Sequence, residues 1–290
     1  MDLALNNGIS MPALGFGVYR IPEAQTSDAV SEALRVGYRL VDTAAVYDNE
    51  RAVGQAIRES NLQRDEVFIE TKIWINDYGY DATLHAFEKS ATKLGVETID
   101  LLLLHQPLPA DFEQTLNAYR ALERLLADGR VRAIGVSNFT EEHLQALLDT
   151  TEIIPAVNQI ELHPFFAQTQ LGKLHEELGI VTQAWSPLGG VTKYGRNAST
   201  TFEDATLLDI AREVGSTPAQ VMLAWHLQQG RAVIPKSTTP HRIAENYQAV
   251  NLRLSPEHLA AIDALDTGIR RGPNPEKVTY RTFGKEISEA

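Results

Sequence analysis

Ile99-Asp100-Leu101-Leu102-Leu103-Leu104-His105 is the stretch that decides the fold, because a short and nearly continuous apolar run ends there in a polar side chain. Such a run is typical of a β-strand that is covered on both faces, as in a parallel sheet. Asp42, Tyr47 and Lys72 also lie at or just beyond the downstream end of an apolar run. Because those ends meet at one rim in a barrel of parallel strands, the pattern indicates an active site at that rim.

Apolar runs recur along the whole chain and alternate with longer amphipathic stretches, which is the pattern of strand-helix units. Eight runs predict strands at residues 14–18, 38–42, 67–71, 99–104, 132–136, 156–160, 180–184 and 232–234. The stretches between them predict helices, among them residues 27–36, 49–59, 82–94, 112–127 and 141–148. Five residues can cap helices at their N-termini, and they are Asn49, Thr140, Thr217, Thr239 and Ser255.

Three further segments refine the architecture. The Asn-Asn-Gly sequence at residues 6–8, between residues 3–5 and 9–11, predicts a small hairpin that closes the bottom of the barrel. Residues 188–202 and 267–290 break the alternation, and their length predicts loops that cover a substrate.

Eight strand-helix units favour a (β/α)8 TIM barrel over an open, doubly wound sheet. The length of 290 residues suits one domain, since α/β barrels often use such a length as a single domain. The sequence therefore predicts an α/β protein in which residues 1–290 form one (β/α)8 barrel domain, with an N-terminal β-hairpin and long loops over the C-terminal face.

The composition excludes several classes of function. Asp and Glu number 38 against 26 Lys and Arg, and the net charge of -12 disfavours nucleic acid as a partner. With no cysteine, the chain has no disulfide, thiolate metal site or cysteine nucleophile. Its histidines lack short ligand spacing, and no apolar run approaches the roughly 20 residues that span a bilayer. We expect a monomeric cytoplasmic protein with no metal, membrane or nucleic-acid partner.

Four side chains at the predicted rim suggest carbonyl chemistry. Tyr47 is a phenol with an ordinary pKa of about 10, and an adjacent ammonium would stabilise its phenolate and make it a better acid. Lys72 is the candidate ammonium, Asp42 could hold it in place, and His105 could hydrogen-bond the substrate oxygen. Together they could hold and protonate a carbonyl oxygen if a cofactor supplied the hydride. A purely structural Asp-Lys ion pair is the alternative interpretation.

A phosphate site is predicted at residues 234–246, where the eighth strand ends and a helix begins. The helix N-terminus offers free N–H groups and the positive end of its dipole, and Lys236 and Arg242 add two charges. These groups suit a ribose 2′-phosphate, so NADPH is favoured over NADH, while Glu245 and Asn246 could reach the adenine amine. An ordinary capped helix is the alternative interpretation.

Further polar groups follow other predicted strands. Ser137, Asn138 and Gln159 could hold a carboxamide, and Trp185 offers a flat face for a nicotinamide ring. The glycine-containing turn at residues 186–190 would let the backbone approach a pyrophosphate. The Gly-Phe-Gly motif near the N-terminus lacks the third glycine and the following helix of a Rossmann fingerprint, so a dinucleotide would bind by another route.

As an ordered set, these residues resemble the aldo-keto reductase superfamily over nearly the whole chain. The likeness runs from Gly15-Phe16-Gly17 through Asp42-Thr43-Ala44 and Gly135-Val136-Ser137-Asn138-Phe139 to Lys236-Ser237. Within that family, Trp74 and residues 157–164 and 185–189 look most similar to the bacterial 2,5-diketo-D-gluconic acid reductases.

The resemblance implies an NADPH-dependent reductase in which Tyr47 is the proton donor, Lys72 and Asp42 tune it, and His105 orients the carbonyl. It also implies a cofactor-binding set, which comprises Ser137, Asn138, Gln159, Trp185, Ser186, Leu188, Gly189, Lys236, Ser237, Arg242, Glu245 and Asn246. The implied substrate pocket comprises Tyr19, Ala44, Trp74 and His105.

Two departures from the family pattern bear on the substrate. Many relatives stack a tyrosine where Trp185 stands, and relatives often carry tryptophan after the catalytic histidine, where this chain has Gln106. Because a polar amide would open and wet that wall, we expect small α-keto compounds, dicarbonyls or keto-sugar acids as substrates rather than steroids.

Two other functions fit part of the pattern. Asp42 and Glu161 could act as the paired carboxylates of a hydrolase, although this interpretation leaves residues 236–246 unexplained. An NADPH-binding redox sensor on the same fold, with little turnover, would keep the cofactor residues. The intact set of four rim residues argues against the sensor.

Overall fold

The computed structural model describes residues 1–189 and 201–289, and in those residues eight parallel strands form one sheet. The strands are β3 (Phe16–Gly17), β4 (Leu40–Asp42), β5 (Phe68–Ile73), β6 (Ile99–Leu104), β7 (Val131–Ser137), β8 (Val157–Glu161), β9 (Val181–Trp185) and β10 (Ala232–Val233). The sheet closes because Leu14 bridges Val233 in parallel, and the Gly15 amide donates to the Val233 carbonyl at 2.8 Å. The predicted (β/α)8 barrel is confirmed.

Helices connect the strands and cover the outside of the barrel. They are α1 (Glu23–Val36), α2 (Glu50–Glu59), α3 (Tyr80–Leu94), α4 (Phe112–Ala127), α5 (Glu141–Leu148), α6 (Thr169–Leu178), α7 (Ala205–Glu213), α8 (Pro218–Gln228), α9 (Pro240–Tyr247), α10 (Pro256–Asp263) and α11 (Tyr280–Phe283). Each helix predicted above is confirmed, with ends that shift by a few residues. In the described part of the chain, no helix combines the length and the apolar character that a membrane crossing requires.

The core has an inner and an outer layer, one inside the barrel and one between the sheet and the helices. Every residue of β5 and β6 is buried. Strands of this kind have no polar face, which explains why the sequence shows continuous apolar runs rather than alternation. The few polar residues within these strands are therefore buried, and each needs a polar partner inside the protein.

An N-terminal hairpin covers the bottom of the barrel, as the sequence predicted. Its strands β1 (Asp2–Ala4) and β2 (Ser10–Pro12) pair antiparallel. Just outside β1 and within β2, Leu5 and Met11 join the inner core cluster that includes Leu40 and Phe68. The hairpin thus seals the apolar interior at the end opposite the predicted active site.

Three of the five predicted N-caps are present, and they are Thr140, Thr217 and Ser255. The other two predictions are wrong, because the side chains of Asn49 and Thr239 make no capping hydrogen bond. The Asn49 amide nitrogen instead donates to the Val18 carbonyl at 3.0 Å, and its oxygen accepts from the Thr43 hydroxyl at 2.8 Å. Asn49 therefore ties together the loops that follow β3 and β4.

Strained backbone lies beyond the C-terminal ends of several strands. Asp48, Asn138 and Ser186, which follow β4, β7 and β9, have φ values of +54°, +66° and +49°. This left-handed region is uncommon for residues with a Cβ, and such strain tends to gather at functional sites. The strained backbone therefore indicates a functional site at the C-terminal rim of the barrel.

The packing of α2 against the end of α3 depends on Gly54. A Cβ at this position would lie 2.1 Å from the Leu94 carbonyl oxygen, so the helices would have to move apart. We expect Gly54→Ala to lower the free energy of unfolding by about 1–3 kcal/mol through overpacking. Chemical denaturation of the purified variant measures the change.

Gly172→Ala is the matched control, because Gly172 lies within α6 and the added Cβ would meet no described neighbour within 4 Å. Alanine favours a helix interior by up to about 1 kcal/mol over glycine, so this variant should be neutral or more stable. Equal stability of the two variants would contradict the packing assigned to Gly54.

Candidate active site

A cavity of about 970 Å³ opens at the C-terminal ends of the strands. Small-molecule sites range from about 300 to 1,000 Å³, so this one is large enough for a cofactor together with a small substrate. Most of the predicted site residues line it, namely Tyr19, Asp42, Tyr47, Trp74, His105, Ser137, Asn138, Gln159, Trp185, Ser186, Leu188, Lys236, Ser237, Arg242, Glu245 and Asn246. The structure thus brings together residues from nearly the whole length of the chain.

Three predicted site residues lie behind the cavity wall. Lys72 and Ala44 are fully buried, and Gly189 is buried in the turn after β9. The φ of Gly189 is +77°, and a Cβ there would lie 2.2 Å from a methyl carbon of Thr201, so the turn requires glycine. The structure does not bring the Ala44 side chain to the cavity, because neighbouring atoms cover it completely.

A buried ion pair lies at the base of the cavity. Lys72 Nζ donates to the Asp42 carboxylate and, at 2.9 Å, to the Thr43 carbonyl. The two charged side chains are 0% and 2% exposed. Parallel pairing brings them together, since Asp42 on β4 is opposite Glu70 on β5, two residues before Lys72. Both ions have lost their hydration, so each depends on the other.

Tyr47 lies beside this ion pair. It ends the 3₁₀ turn Ala45–Tyr47 that follows β4, and the centre of its ring is 5.4 Å from Lys72 Nζ. The Tyr47 ring also packs against Tyr19 at 5.1 Å and against His105 at 5.6 Å between ring centres. The phenol, the ammonium and the imidazole that the sequence predicted to converge therefore form one cluster.

His105 is held as a neutral imidazole. Its side chain is 8% exposed, and the edge of the Trp74 ring packs against it at 4.9 Å. Burial, and then the positive charge of Lys72, lower the pKa of His105 well below its ordinary value. Because a neutral imidazole can donate one hydrogen bond, His105 could hold a substrate oxygen without carrying a charge.

Ser137, Asn138, Gln159 and Trp185 form a second wall, and protein contacts orient each of them. Trp185 Nε1 donates to Asn138 Oδ1 at 2.9 Å, which fixes the indole ring. The Ser137 hydroxyl donates to the Gln159 backbone carbonyl at 2.8 Å, and Gln159 Nε2 donates to Asp42 at 3.0 Å. The residues predicted to hold a carboxamide and a ring are thus neighbours in the structure.

The C-terminal segment covers the outer face of Trp185. A Cβ on Gly272 would come within 2.4 Å of the indole ring. The segment is anchored at the end of β8, where the amides of Arg271 and Gly272 donate to the two carboxylate oxygens of Glu161 at 2.8 and 2.9 Å. Trp185 also lines the cavity, so part of its ring is accessible to a flat ligand.

This anchor excludes Glu161 from the predicted hydrolytic pair with Asp42. Burial raises the pKa of Glu161, but hydrogen bonds from His163 and from the amides of Arg271 and Gly272 outweigh that effect and lower it. An ionised carboxylate committed to backbone amides cannot act as a general acid. The hydrolase interpretation is wrong for this geometry.

Positive charge gathers at the far end of the cavity, near the N-terminus of α9. Arg20, Lys236 and Arg242 line this region. Partial burial, and then the charge of Arg20, lower the pKa of Lys236. Cations that disfavour one another in this way would be stabilised by an anion between them. On the same wall, the Thr217 hydroxyl donates to the Glu245 carboxylate at 2.8 Å and orients it.

Several lining residues were not predicted from the sequence, and they include Arg20, Phe202, Thr217, Pro273 and Phe283. Phe202 and Phe283 belong to the two segments that the sequence predicted as covering loops. In the first segment, residues 190–200 lie outside the described residues. Loops without periodicity give no sequence signal for which side chain faces a cavity, so only their general position was predictable.

The second covering segment is tied to the catalytic cluster. Trp74 Nε1 donates to the Phe283 carbonyl at 3.0 Å. Two residues later, Lys285 Nζ donates to the Val46 carbonyl at 2.9 Å, next to Tyr47. The C-terminal residues therefore support both the turn that carries Tyr47 and the aromatic wall formed by Trp74.

Comparison with known proteins gives a family and a set of relatives. A model described as the aldo/keto reductase family matches residues 12–267. The chain is 45% identical over 288 residues to a morphine 6-dehydrogenase of Pseudomonas putida, across 98% of this chain and 97% of that protein. It is 42% identical over 277 residues to a glyoxal reductase of Bacillus subtilis (strain 168), across 95% and 96% of the two chains. A crystal structure of a Gox0644 mutant in complex with NADPH has a TM-score of 0.89 and 40% identity, across 96% of this chain and 98% of that one.

His105 gives a direct test of the site's electrostatics. We expect its ring nitrogens to keep the NMR shifts of a neutral imidazole as the pH falls through about 6.5, where an ordinary histidine becomes charged. The reason is its burial beside Lys72. The spectrum of His105→Gln identifies the resonances, and an imidazolium signal from His105 near neutral pH would contradict the assignment.

Proposed function

The chain belongs to the aldo/keto reductase family, and we propose that it reduces an aldehyde or ketone to an alcohol with NADPH as cofactor. The cluster of Tyr47, Lys72 and His105 is the observation that carries the proposal. Lys72 Nζ lies 5.4 Å from the centre of the Tyr47 ring, and the centre of the His105 ring lies 5.6 Å from it. An acid, a cation and a neutral hydrogen-bond donor around one point are the groups that protonation of a carbonyl oxygen needs.

The lining residues fit NADPH at both ends of the cavity. Arg20, Lys236 and Arg242 suit phosphates, and Thr239 makes no capping hydrogen bond, which leaves first-turn amides of α9 for a ligand oxygen. At the other end, Trp185 has a face toward the cavity. A similar chain crystallised in complex with NADPH supports the same assignment.

We assign the remaining cofactor contacts by position. Lys236, Ser237 and Arg242 would hold the 2′-phosphate, and Glu245 and Asn246 would hold the adenine. Ser186, Leu188 and Gly189 would hold the pyrophosphate, Ser137, Asn138 and Gln159 would hold the carboxamide, and Trp185 would pack against the nicotinamide ring.

When bound, NADPH supplies the hydride. Tyr47 gives its proton to the oxygen of the reduced carbonyl, and the charge of Lys72 stabilises the phenolate that remains. Asp42 holds the Lys72 ammonium in place by direct contact. His105, neutral because of its burial, donates a hydrogen bond that holds the carbonyl oxygen beside the phenol.

We propose that the substrates are small, polar carbonyl compounds, namely α-keto compounds, dicarbonyls or keto-sugar acids. Gln106 lines the cavity together with Tyr19, Trp74 and Phe283, so the lining combines aromatic residues with a polar one. A glyoxal reductase is among the relatives, which supports a dicarbonyl substrate. The narrower resemblance to 2,5-diketo-D-gluconic acid reductases stays a prediction, as do the single domain, the monomeric state and the cytoplasmic location.

An NADPH-binding sensor with little turnover is the alternative function. It would bind NADPH in the same cavity but would not consume it. Following the loss of NADPH absorbance with a panel of aldehydes, diketones and keto-sugars separates the two functions, since only the reductase oxidises NADPH in a substrate-dependent way.

Tyr47→Phe tests the proton donor. Because general acid catalysis contributes about 10²–10⁴-fold, we expect kcat for reduction to fall by at least about 100-fold while the Kd for NADPH changes little. The control is Tyr80→Phe, which removes a phenol hydroxyl from an exposed ring outside the cavity and should leave kcat unchanged. Undiminished turnover of Tyr47→Phe would refute the assignment of Tyr47.

Lys236→Ala and Arg242→Ala test recognition of the 2′-phosphate. Each removes a cation from the cavity wall, so we expect NADPH binding to weaken by roughly tenfold or more and NADH binding by much less. Lys173→Ala, on the exposed surface of α6, serves as the control. Quenching of tryptophan fluorescence measures both affinities, and equal losses for the two nucleotides would refute the assignment.

A further inference from the structure

A carboxyl group without a role in the site described above lies inside the barrel, beneath the base of the cavity. Glu70 is 0% exposed and stands on β5 between Phe68 and Lys72. Residues two apart on a strand point to the same side, so all three side chains enter the barrel interior. Phe68 belongs to the apolar cluster at the bottom, and Lys72 belongs to the ion pair at the top.

Glu70 is connected to the candidate active site by hydrogen bonds. Gln159 Nε2 donates to one of its oxygens at 2.6 Å, and Gln183 Nε2 donates to the other at 2.7 Å. The same Gln159 nitrogen is 3.0 Å from Asp42 Oδ1, so one amide joins the two carboxyl groups. The two carboxyl groups are therefore close neighbours in the barrel interior.

Two ionised carboxylates this close would repel each other in the dry interior, so a proton on one of them is favoured. Asp42 is in direct contact with the Lys72 ammonium. Glu70 is surrounded by two uncharged amides and by apolar side chains such as Leu101. The proton is therefore held by Glu70.

The charged groups that act on Glu70 are Asp42 on β4 and Lys72 on its own strand. The neighbouring positions on β6, β8 and β9 carry Leu101, Gln159 and Gln183, which do not titrate. Burial, and then the charge of Asp42, raise the pKa of Glu70 to about 8, while Lys72 opposes the change. Burial and the neighbouring carboxylate therefore favour the protonated form of Glu70.

We propose that Glu70 is a positioning residue for carbonyl reduction, which holds a proton beneath Asp42 at neutral pH and, on losing it, places a second negative charge beside Lys72. The inference rests on the proposed function, since its effect passes through Lys72 to Tyr47. With Glu70 neutral, the field of Lys72 stabilises the Tyr47 phenolate. With Glu70 ionised, the added charge offsets that field, Tyr47 becomes a weaker acid, and proton transfer slows.

Glu70→Gln separates this role from a merely structural one. Glutamine retains the size of a protonated glutamate, one acceptor oxygen and the ability to donate a hydrogen bond, but it cannot ionise. The matched control is Glu50→Gln, because Glu50 is also fully buried and burial raises its pKa. Glu50 accepts a hydrogen bond from Thr71 at 2.7 Å, and it lies on α2, outside the barrel interior.

The first measurement is kcat for NADPH-dependent reduction from about pH 6 to about pH 10. We expect the wild type and Glu50→Gln to lose activity through an inflection near pH 8, the value at which Glu70 ionises. Glu70→Gln should lack that inflection, so its kcat at the alkaline end should exceed that of the wild type by roughly tenfold, the effect of about one pKa unit in the acid.

The second measurement is the infrared C=O band of a protonated carboxylic acid. In the wild type, we expect such a band at neutral pH and its loss as the pH rises through about 8. The band should be missing from Glu70→Gln and present in Glu50→Gln. If Glu70→Gln does not fold, the titration is read from Glu50→Gln, which lacks the other buried carboxyl group with a raised pKa, and a band that still titrates there is assigned to Glu70.

The outcomes are distinct. A Glu70→Gln profile that keeps the inflection, or a titrating band that this variant retains, would overturn the role of Glu70. A wild type that reduces no carbonyl with NADPH would overturn the proposed function, and with it any effect of Glu70 on catalysis. The infrared titration would then still establish whether Glu70 holds the proton.

Discussion

The buried ion pair between Asp42 and Lys72 is the interaction on which the rest of the candidate site depends. Removing two ions from water is costly, and the Thr43 carbonyl and the Gln159 amide supply the hydrogen bonds that offset part of that cost. The pair forms only if β4 and β5 keep their register, in which Asp42 is opposite Glu70. If one strand slipped by one residue, its side chains would turn to the opposite face and the ion pair could not form, so the register of the fold also fixes the charges at the site.

The interior of the barrel changes from apolar to polar toward the cavity. Phe68 and Leu101 belong to the apolar bottom, whereas Glu70, Gln159 and Gln183 form a hydrogen-bonded layer above it. This layer keeps water away from the lower side of the ion pair, where a low dielectric strengthens electrostatic effects. The same dry surroundings that let the Lys72 charge act on Tyr47 also keep His105 neutral.

The C-terminal segment completes the site from outside the barrel. Glu161 accepts hydrogen bonds from the backbone amides of Arg271 and Gly272, and Gly272 packs closely against the Trp185 ring. Further on, Phe283 accepts the hydrogen bond of Trp74. The barrel thus carries the chemistry, whereas the least regular part of the chain forms the wall that a substrate meets. Such a division lets relatives with a common barrel act on different compounds through changes in their loops.

Local patterns in the sequence determined the barrel, the hairpin and the four rim residues, because strand periodicity and the position of a strand end are properties of neighbouring residues. They did not determine which partners buried polar groups find. Glu161 gives the same sequence pattern whether it faces a substrate, as the alternative hydrolase interpretation required, or backbone amides 110 residues away, as in the structure.

Only the tertiary structure decided these long-range contacts. Glu70 interrupts an apolar run two residues before Lys72, which could have marked it as a site residue, but its link to Asp42 depends on the Gln159 amide, 89 residues away from Glu70. Lys285 reaches the turn that carries Tyr47 across 239 residues. Contacts of this kind arise from packing in three dimensions and leave no periodic trace along the chain.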